Sequence, residues 1–106
     1  MSARLMGFLW GVELPREDKF VLLAMADHAD HTGRNIRPSL GLVAYKTGYQ
    51  LRQVQRIVHR NTLAGRLIVV AEKDNEPTEY RIDMNAPCWN VMPEYRGRSG
   101  IPSRKS

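Results

Sequence analysis

Residues 48–60 read GYQLRQVQRIVHR, with three arginines, three glutamines, one histidine and no carboxylate. Helical spacing gathers Leu51, Val54, Ile57 and Val58 into one apolar stripe. Arg52, Arg56 and His59 fall opposite that stripe, with Gln53, Gln55 and Arg60 on its flanks. The stripe predicts a helix anchored in a core. The other face predicts a surface of cations and long amides. Gly48 allows a tight turn before the helix, and Ala64-Gly65 closes it. Asn61 stands where a further apolar residue would extend the stripe, and Leu63 falls on the wrong side. Either the helix ends near Asn61, or Asn61 is buried and hydrogen-bonded.

On the N-terminal side, RPSLGLVAYKTG (37–48) predicts a short helix. Pro38 disfavours helix before it, Ser39 is a good N-cap, and Leu40, Val43 and Ala44 share a face. Before that, LPREDKFVLLAMADHADHTG (14–33) predicts a helix started at Pro15, with Glu17 and Asp18 at the positive end of its dipole and Thr32-Gly33 at its close. Phe20 to Ala26 is apolar without a break, more than one amphipathic face needs. That helix is expected to meet a second subunit, or residues 3–14, as well as its own core. Residues 1–14 are expected to form an arm or strand. On the C-terminal side, LIVVAE and TEYRIDM read as strands joined by the turn residues KDNEPT. Tyr80, Ile82 and Met84 alternate with Arg81 and Asp83, the period of a half-buried strand. Residues 85–106 form a basic C-terminal extension. CWNVMPEY keeps enough apolar residues to dock, and RGRSGIPSRKS has the composition of a flexible tail.

The whole chain has 106 residues, 42% hydrophobic and 25% charged, the balance of one globular domain. No apolar run reaches the length of a membrane span, and no signal peptide is legible. A single cysteine, Cys88, allows no internal disulfide and predicts a reducing, cytoplasmic setting. The net charge of +5 decides little, but its placement is sharper. No acid lies between Asp30 and Glu72, a span that holds Arg34, Arg37, Lys46, Arg52, Arg56, Arg60 and Arg66. A field of one sign attracts polyanions.

Helix, short helix, tight turn, longer helix and hairpin together predict a mostly α protein with a small β-hairpin, an α+β winged helix-turn-helix. The helix after the turn fits the major groove of B-DNA. Arg pairs bidentately with guanine and Gln with adenine, whereas an acid there would repel phosphate. On this reading Gln50, Arg52, Gln53 and Arg56 are the expected base contacts. Arg37, Ser39, Lys46, Tyr49, Gln55, Arg60 and Lys73 are the expected phosphate contacts. Lys73 is the one basic residue at a hairpin tip that also holds Asp74 and Glu76. His28 and His31 are spaced i, i+3 with carboxylate neighbours, but a metal needs more convergent ligands, so none is expected and the histidines are read as complementing the dipole at a helix C-terminus. Trp10 and Trp89 are expected to pack. No nucleophile–base pair, phosphate-binding glycine loop or zinc spacing appears. The expectation is therefore a DNA-binding protein and not an enzyme, with no cofactor.

The stretch KFVLLAMADHADHTGRNIRPSLGLVAYKTGYQLRQVQRIVHRNTLAGRLIVV resembles the winged helix-turn-helix domain of phage and other mobile-element replication proteins and regulators. The similarity spans residues 19–84. It lies in the ADHA helix, the Pro38-Ser39 cap, the Lys46-Thr47-Gly48 turn, Val54-Gln55-Arg56 and Ala64-Gly65. It departs at Tyr49-Gln50, where the family usually has Leu-Ser, and at Asn61, where it has Leu. The resemblance implies binding of double-stranded DNA through the helix that contains Val54-Gln55-Arg56. It also implies a replication-origin binder or transcriptional regulator of a mobile element, in a bacterial nucleoid or host cytoplasm, with a replication or transcription protein as a further partner. The chain lacks the further C-terminal region such replication proteins carry, which favours a stand-alone regulator. A homodimer is expected, because Phe20–Ala26 and residues 3–14 are too apolar for one face; it would use the helix that holds Phe20–Ala26, the N-terminal arm or Cys88–Tyr95 and place two half-sites about one helical turn apart. The competing expectation is a protein-interaction adaptor that uses the same fold without DNA. The acidic hairpin tip and the apolar segments 3–14 and 88–95 support it.

Overall fold

A computed structural model describes residues 3–91. Four helices, α1 (Ala3–Trp10), α2 (Arg16–Ala26), α3 (Leu40–Thr47) and α4 (Leu51–Leu63), precede a hairpin of β1 (Ile68–Ala71) and β2 (Glu79–Arg81). The architecture is mostly helical with one two-stranded antiparallel sheet.

α2 is the centre of the packing and touches α1, α3 and α4. Val21, Leu22, Leu23, Met25 and Ala26 are all buried, which accounts for the unbroken apolar run. Part of that burial comes from α1, which replaces the arm or strand expected over residues 3–14. Leu5, Leu9 and Val12 recur at helical spacing and lose essentially all contact with solvent. Gly7 obscures this periodicity in the sequence, yet a side chain there would meet no atom within 4 Å. Its cost to the helix is only that of propensity. Lys19 Nζ donates to the Trp10 carbonyl (3.1 Å) and so caps the end of α1. Trp10 itself is 57% exposed, contrary to the expected packing role.

α2 also stops earlier than expected. Asp27 follows it, and Thr32-Gly33 belongs to a separate turn. That turn is built on Asp30, whose Oδ1 accepts from the Thr32 amide (2.9 Å), the Thr32 hydroxyl (2.6 Å) and the Arg34 amide (3.1 Å). Its Oδ2 accepts from Asn35 Nδ2 (2.6 Å). Short polar side chains that bond nearby amides compete with helix, and here they win. Ile36 then pairs with Tyr80 through backbone bonds of 3.1 and 2.8 Å, which ties the loop to the hairpin.

α3 begins and ends as its sequence predicts. Ser39 Oγ accepts from the Leu42 amide (3.1 Å), and Gly48 closes the helix at φ 80°. In the hairpin Tyr80 and Ile82 face the core, while Val69 and Val70 stay exposed. Residues 85–91 dock. The Trp89 ring meets Phe8 edge-on at 5.2 Å, its Nε1 donates to the Asp83 carbonyl (2.7 Å), and Val91 pairs with Val12. The tail expected over 96–106 lies outside the described residues. No described helix is long and apolar enough to cross a membrane.

Candidate nucleic-acid interface

Three residues, 48–50, separate α3 from α4. Gln50 is the N-cap of α4, but its side chain makes no capping bond. Val54, Ile57, Val58 and Asn61 turn inward. Asn61 is fully buried, which settles the choice left by its position. Its Nδ2 donates to the Ile57 carbonyl (2.7 Å) and to Asp18 Oδ2 (3.3 Å), and its backbone carbonyl accepts from Arg66 and Leu67. α4 therefore continues to Leu63, whose side chain is 77% exposed.

One flank of α4 is tied to the start of α2. Asp18 is fully buried and pairs with Arg60 and with Arg66 (3.4 Å). Arg60 also reaches Glu17 (3.0 Å), and Gln53 Nε2 donates to Glu17 Oε2 (3.1 Å). The Arg60 and Gln53 bonds hold the Glu17 carboxyl below its ordinary range, and Asp18, then Glu17, raise the proton affinity of Arg60. Buried charges need such partners. Arg60 and Gln53, expected at phosphate and base respectively, are thus engaged within the fold. The reason is tertiary: acids read as helix-dipole residues of α2 lie against α4.

Two further expected phosphate contacts are also paired. Lys46 Nζ binds Asp27 Oδ2 (2.9 Å) and lies 3.1 Å from His28 Nε2. Burial, then Lys46, pushes the His28 imidazole below its ordinary range, which works against a cationic role at the end of α2. Arg37 Nε meets Glu79 Oε1 at 3.4 Å, with 62% of the Arg37 side chain still exposed. The acid-free span from Asp30 to Glu72 is therefore partly neutralised by acids from outside it.

What remains on α4 is a crest of Arg52, Gln55, Arg56 and His59, all exposed. Among the described residues, neither Arg52 nor Arg56 has an ion-pair or hydrogen-bond partner; Glu17 feels only a minor coulombic effect from Arg56. Ser39 is exposed, and its hydroxyl proton remains available after its oxygen caps α3. Tyr49 is half-buried, its ring edge-on to Phe20 at 5.9 Å. Lys73 is exposed at the hairpin turn beside Glu72, Asp74 and Glu76. Tyr45, which sequence reasoning passed over, stands 86% exposed on α3. Among the described residues no three His, Cys, Asp or Glu side chains converge as a metal site would require. No family model, curated protein or solved structure matches the chain.

Proposed function

We propose that the chain is a winged helix-turn-helix protein that binds double-stranded DNA, with α4 as its recognition helix and a regulatory or origin-binding role in a mobile element. One observation carries the reading. Arg52 and Arg56 project from the exposed crest of α4 without an intramolecular partner among the described residues, while Arg60, Arg66, Lys46 and Arg37 each have one. An arginine left unpaired on a convex helix surface is free to fork onto a guanine edge. Gln55 on the crest and Gln50 at the start of α4 add amide donors and acceptors. Ser39 and Tyr49 supply neutral donors for phosphate.

The geometry narrows the expected contact set. Arg52 and Arg56 are the principal base readers. Gln53 and Arg60 tie α4 to the start of α2, and Lys46 ties α3 to the residues just after α2. Trp10 and Phe20, 57% and 45% exposed, supply apolar surface for the proposed homodimer. Light scattering at micromolar concentration checks this: a 12.1 kDa species both free and on DNA would exclude the dimer. The second reading, a protein-interaction adaptor, draws on α3, where Leu42 and Tyr45 are exposed. Duplex binding across a salt series separates the two. The DNA reading expects log K to fall linearly with log salt, with a slope of about −2 to −4 for the few unpaired cations. No binding at low salt, or a flat line, selects the adaptor.

A further inference from the structure

A second group of basic side chains lies away from α4. Arg4 of α1, His31 and Arg34 of the 27–39 loop, and Arg81 of β2 line one concave pocket of about 270 Å³. No residue of α3 or α4 lines it. Among the described residues none of the three guanidinium groups has an ion-pair or hydrogen-bond partner. One carboxylate, Asp83, shares the wall, and its Oδ1 already accepts from the Asn85 amide (2.9 Å). The pocket is therefore net positive, and its arginines come from parts of the chain that only the fold brings together.

The wall that carries Arg34 is built to stay in place. Asp30 accepts four hydrogen bonds from within residues 32–35, including the Arg34 amide. Those bonds hold its carboxyl far below the ordinary range. Gly33, at φ 81°, presses against β2: the Ile82 amide donates to its carbonyl (2.9 Å), and a Cβ at this position would stand 2.7 Å from the Ile82 oxygen. Only glycine permits that approach. The contact holds the backbone next to Arg34 against the residue that follows Arg81, and the two side chains line the same pocket. Like charges held together cost free energy unless an anion joins them. Guanidinium forks match the oxygens of a phosphoryl group.

We propose that Arg4, Arg34 and Arg81 form a phosphate-binding site, distinct from the α4 crest, that takes a phosphoryl group from either a nucleic-acid backbone or a free phosphorylated molecule. His31 lines the same pocket and adds an imidazole N–H donor. The size suits one phosphate and its nearest substituents, not a buried cofactor.

The test uses the full chain and inorganic phosphate as the probe, with chloride at matched ionic strength as the reference. Phosphate is titrated while arginine side-chain NMR shifts and the melting temperature are followed. The wild type should show saturable shifts and a phosphate-dependent rise in melting temperature. Arg34→Gln/Arg81→Gln should weaken phosphate binding by at least tenfold while its melting curve in chloride stays close to wild type. Arg52→Gln/Arg56→Gln removes the same charge elsewhere and should leave phosphate binding within about twofold, because those residues lie outside the pocket. No saturable response in the wild type, or an equal response in all three proteins, overturns the proposal.

A duplex arm identifies the source of the phosphate. If the site holds a DNA phosphodiester, Arg34→Gln/Arg81→Gln makes the salt slope of duplex binding shallower by about two. If it holds a free phosphorylated molecule, the slope is unchanged and a mononucleotide competes with inorganic phosphate. Either result supports the site once the first arm is positive.

Discussion

The two sides of α4 use the same residue types for opposite purposes. On the flank toward α2, Arg60 and Gln53 are spent on Glu17 and Asp18, and Asn61 joins them from the buried stripe. On the crest, Arg52, Gln55, Arg56 and His59 face solvent. Arg56 and Arg60 lie one helical turn apart, yet one is free of hydrogen-bond and ion-pair partners among the described residues and the other joins two carboxylates. A count of charges in a segment does not measure the field that segment projects. The acids that cancel it can come from forty residues away, as Asp18 and Arg60 show.

The sharpest way to break this contrast is from the flank. Asp18→Ala leaves Arg66 and Asn61 without their buried acceptor. We expect a loss of about 3 kcal/mol in urea unfolding, near the lower end for a broken buried pair because Arg60 keeps Glu17 and 43% side-chain exposure. A loss below about 0.5 kcal/mol would mean that the network does not hold α4 in place.

Gly33→Ala comes next. A positive φ and a 2.7 Å approach to a backbone oxygen give the new side chain no relaxed position. A cost of about 2 kcal/mol follows from strain of this kind. Thermal unfolding measures it, and an unchanged melting temperature would remove the close contact between the loop and β2.

The Asp30 turn gives a smaller effect, tied to pH. The folded carboxyl is held below its unfolded value of 3.8, so the stability it contributes is fully present above that value. It is lost as pH falls through 3.8 toward the folded value. Asp30→Asn should flatten this acid limb of the stability curve relative to wild type and lower stability near neutrality. Identical acid limbs in the two proteins would contradict the four hydrogen bonds assigned to the carboxylate. The crest sits at the bottom of the scale: Arg52→Ala and Arg56→Ala should each change unfolding free energy by no more than about 0.5 kcal/mol.

Much of this was legible in the sequence. Ser39 and Gly48 marked the ends of α3, the stripe of Leu51, Val54, Ile57 and Val58 gave the inner side of α4, and KDNEPT marked the hairpin turn. Exposure of Arg52 and Arg56 followed from the same periodicity. α1 was hidden because Gly7 interrupts its pattern, and the end of α2 because Asp30 diverts the chain through side-chain bonds that no periodicity records. The pairing of Arg60 with Asp18 was hidden for a different reason. Periodicity says which way a side chain points along its own helix and nothing about what stands opposite. One signal was available. Asp18 precedes Val21, Leu22 and Met25 at the spacing of a single buried face, so it heads an apolar stripe. An acid in that position must find a cation, and the arginines of α4 were there to supply one. Arg4, Arg34 and Arg81 come together only in the fold, from α1, the 27–39 loop and β2, and carry no local pattern at all.

On the proposed reading, the crest of α4 and not its flank makes the base contacts with DNA. The most direct measurement selects a preferred duplex from a random pool and compares its affinity with that of a random duplex for three proteins: wild type, Arg52→Ala/Arg56→Ala and Arg60→Ala. Each bidentate arginine–guanine contact is worth about 1–3 kcal/mol of discrimination. The crest variant should therefore lose most of the preference for the selected duplex and keep its fold. Arg60→Ala, whose side chain is committed to Glu17 and Asp18, should keep the preference within about threefold when measured well below its lowered melting temperature. Loss of preference in Arg60→Ala with retention in the crest variant would contradict the account.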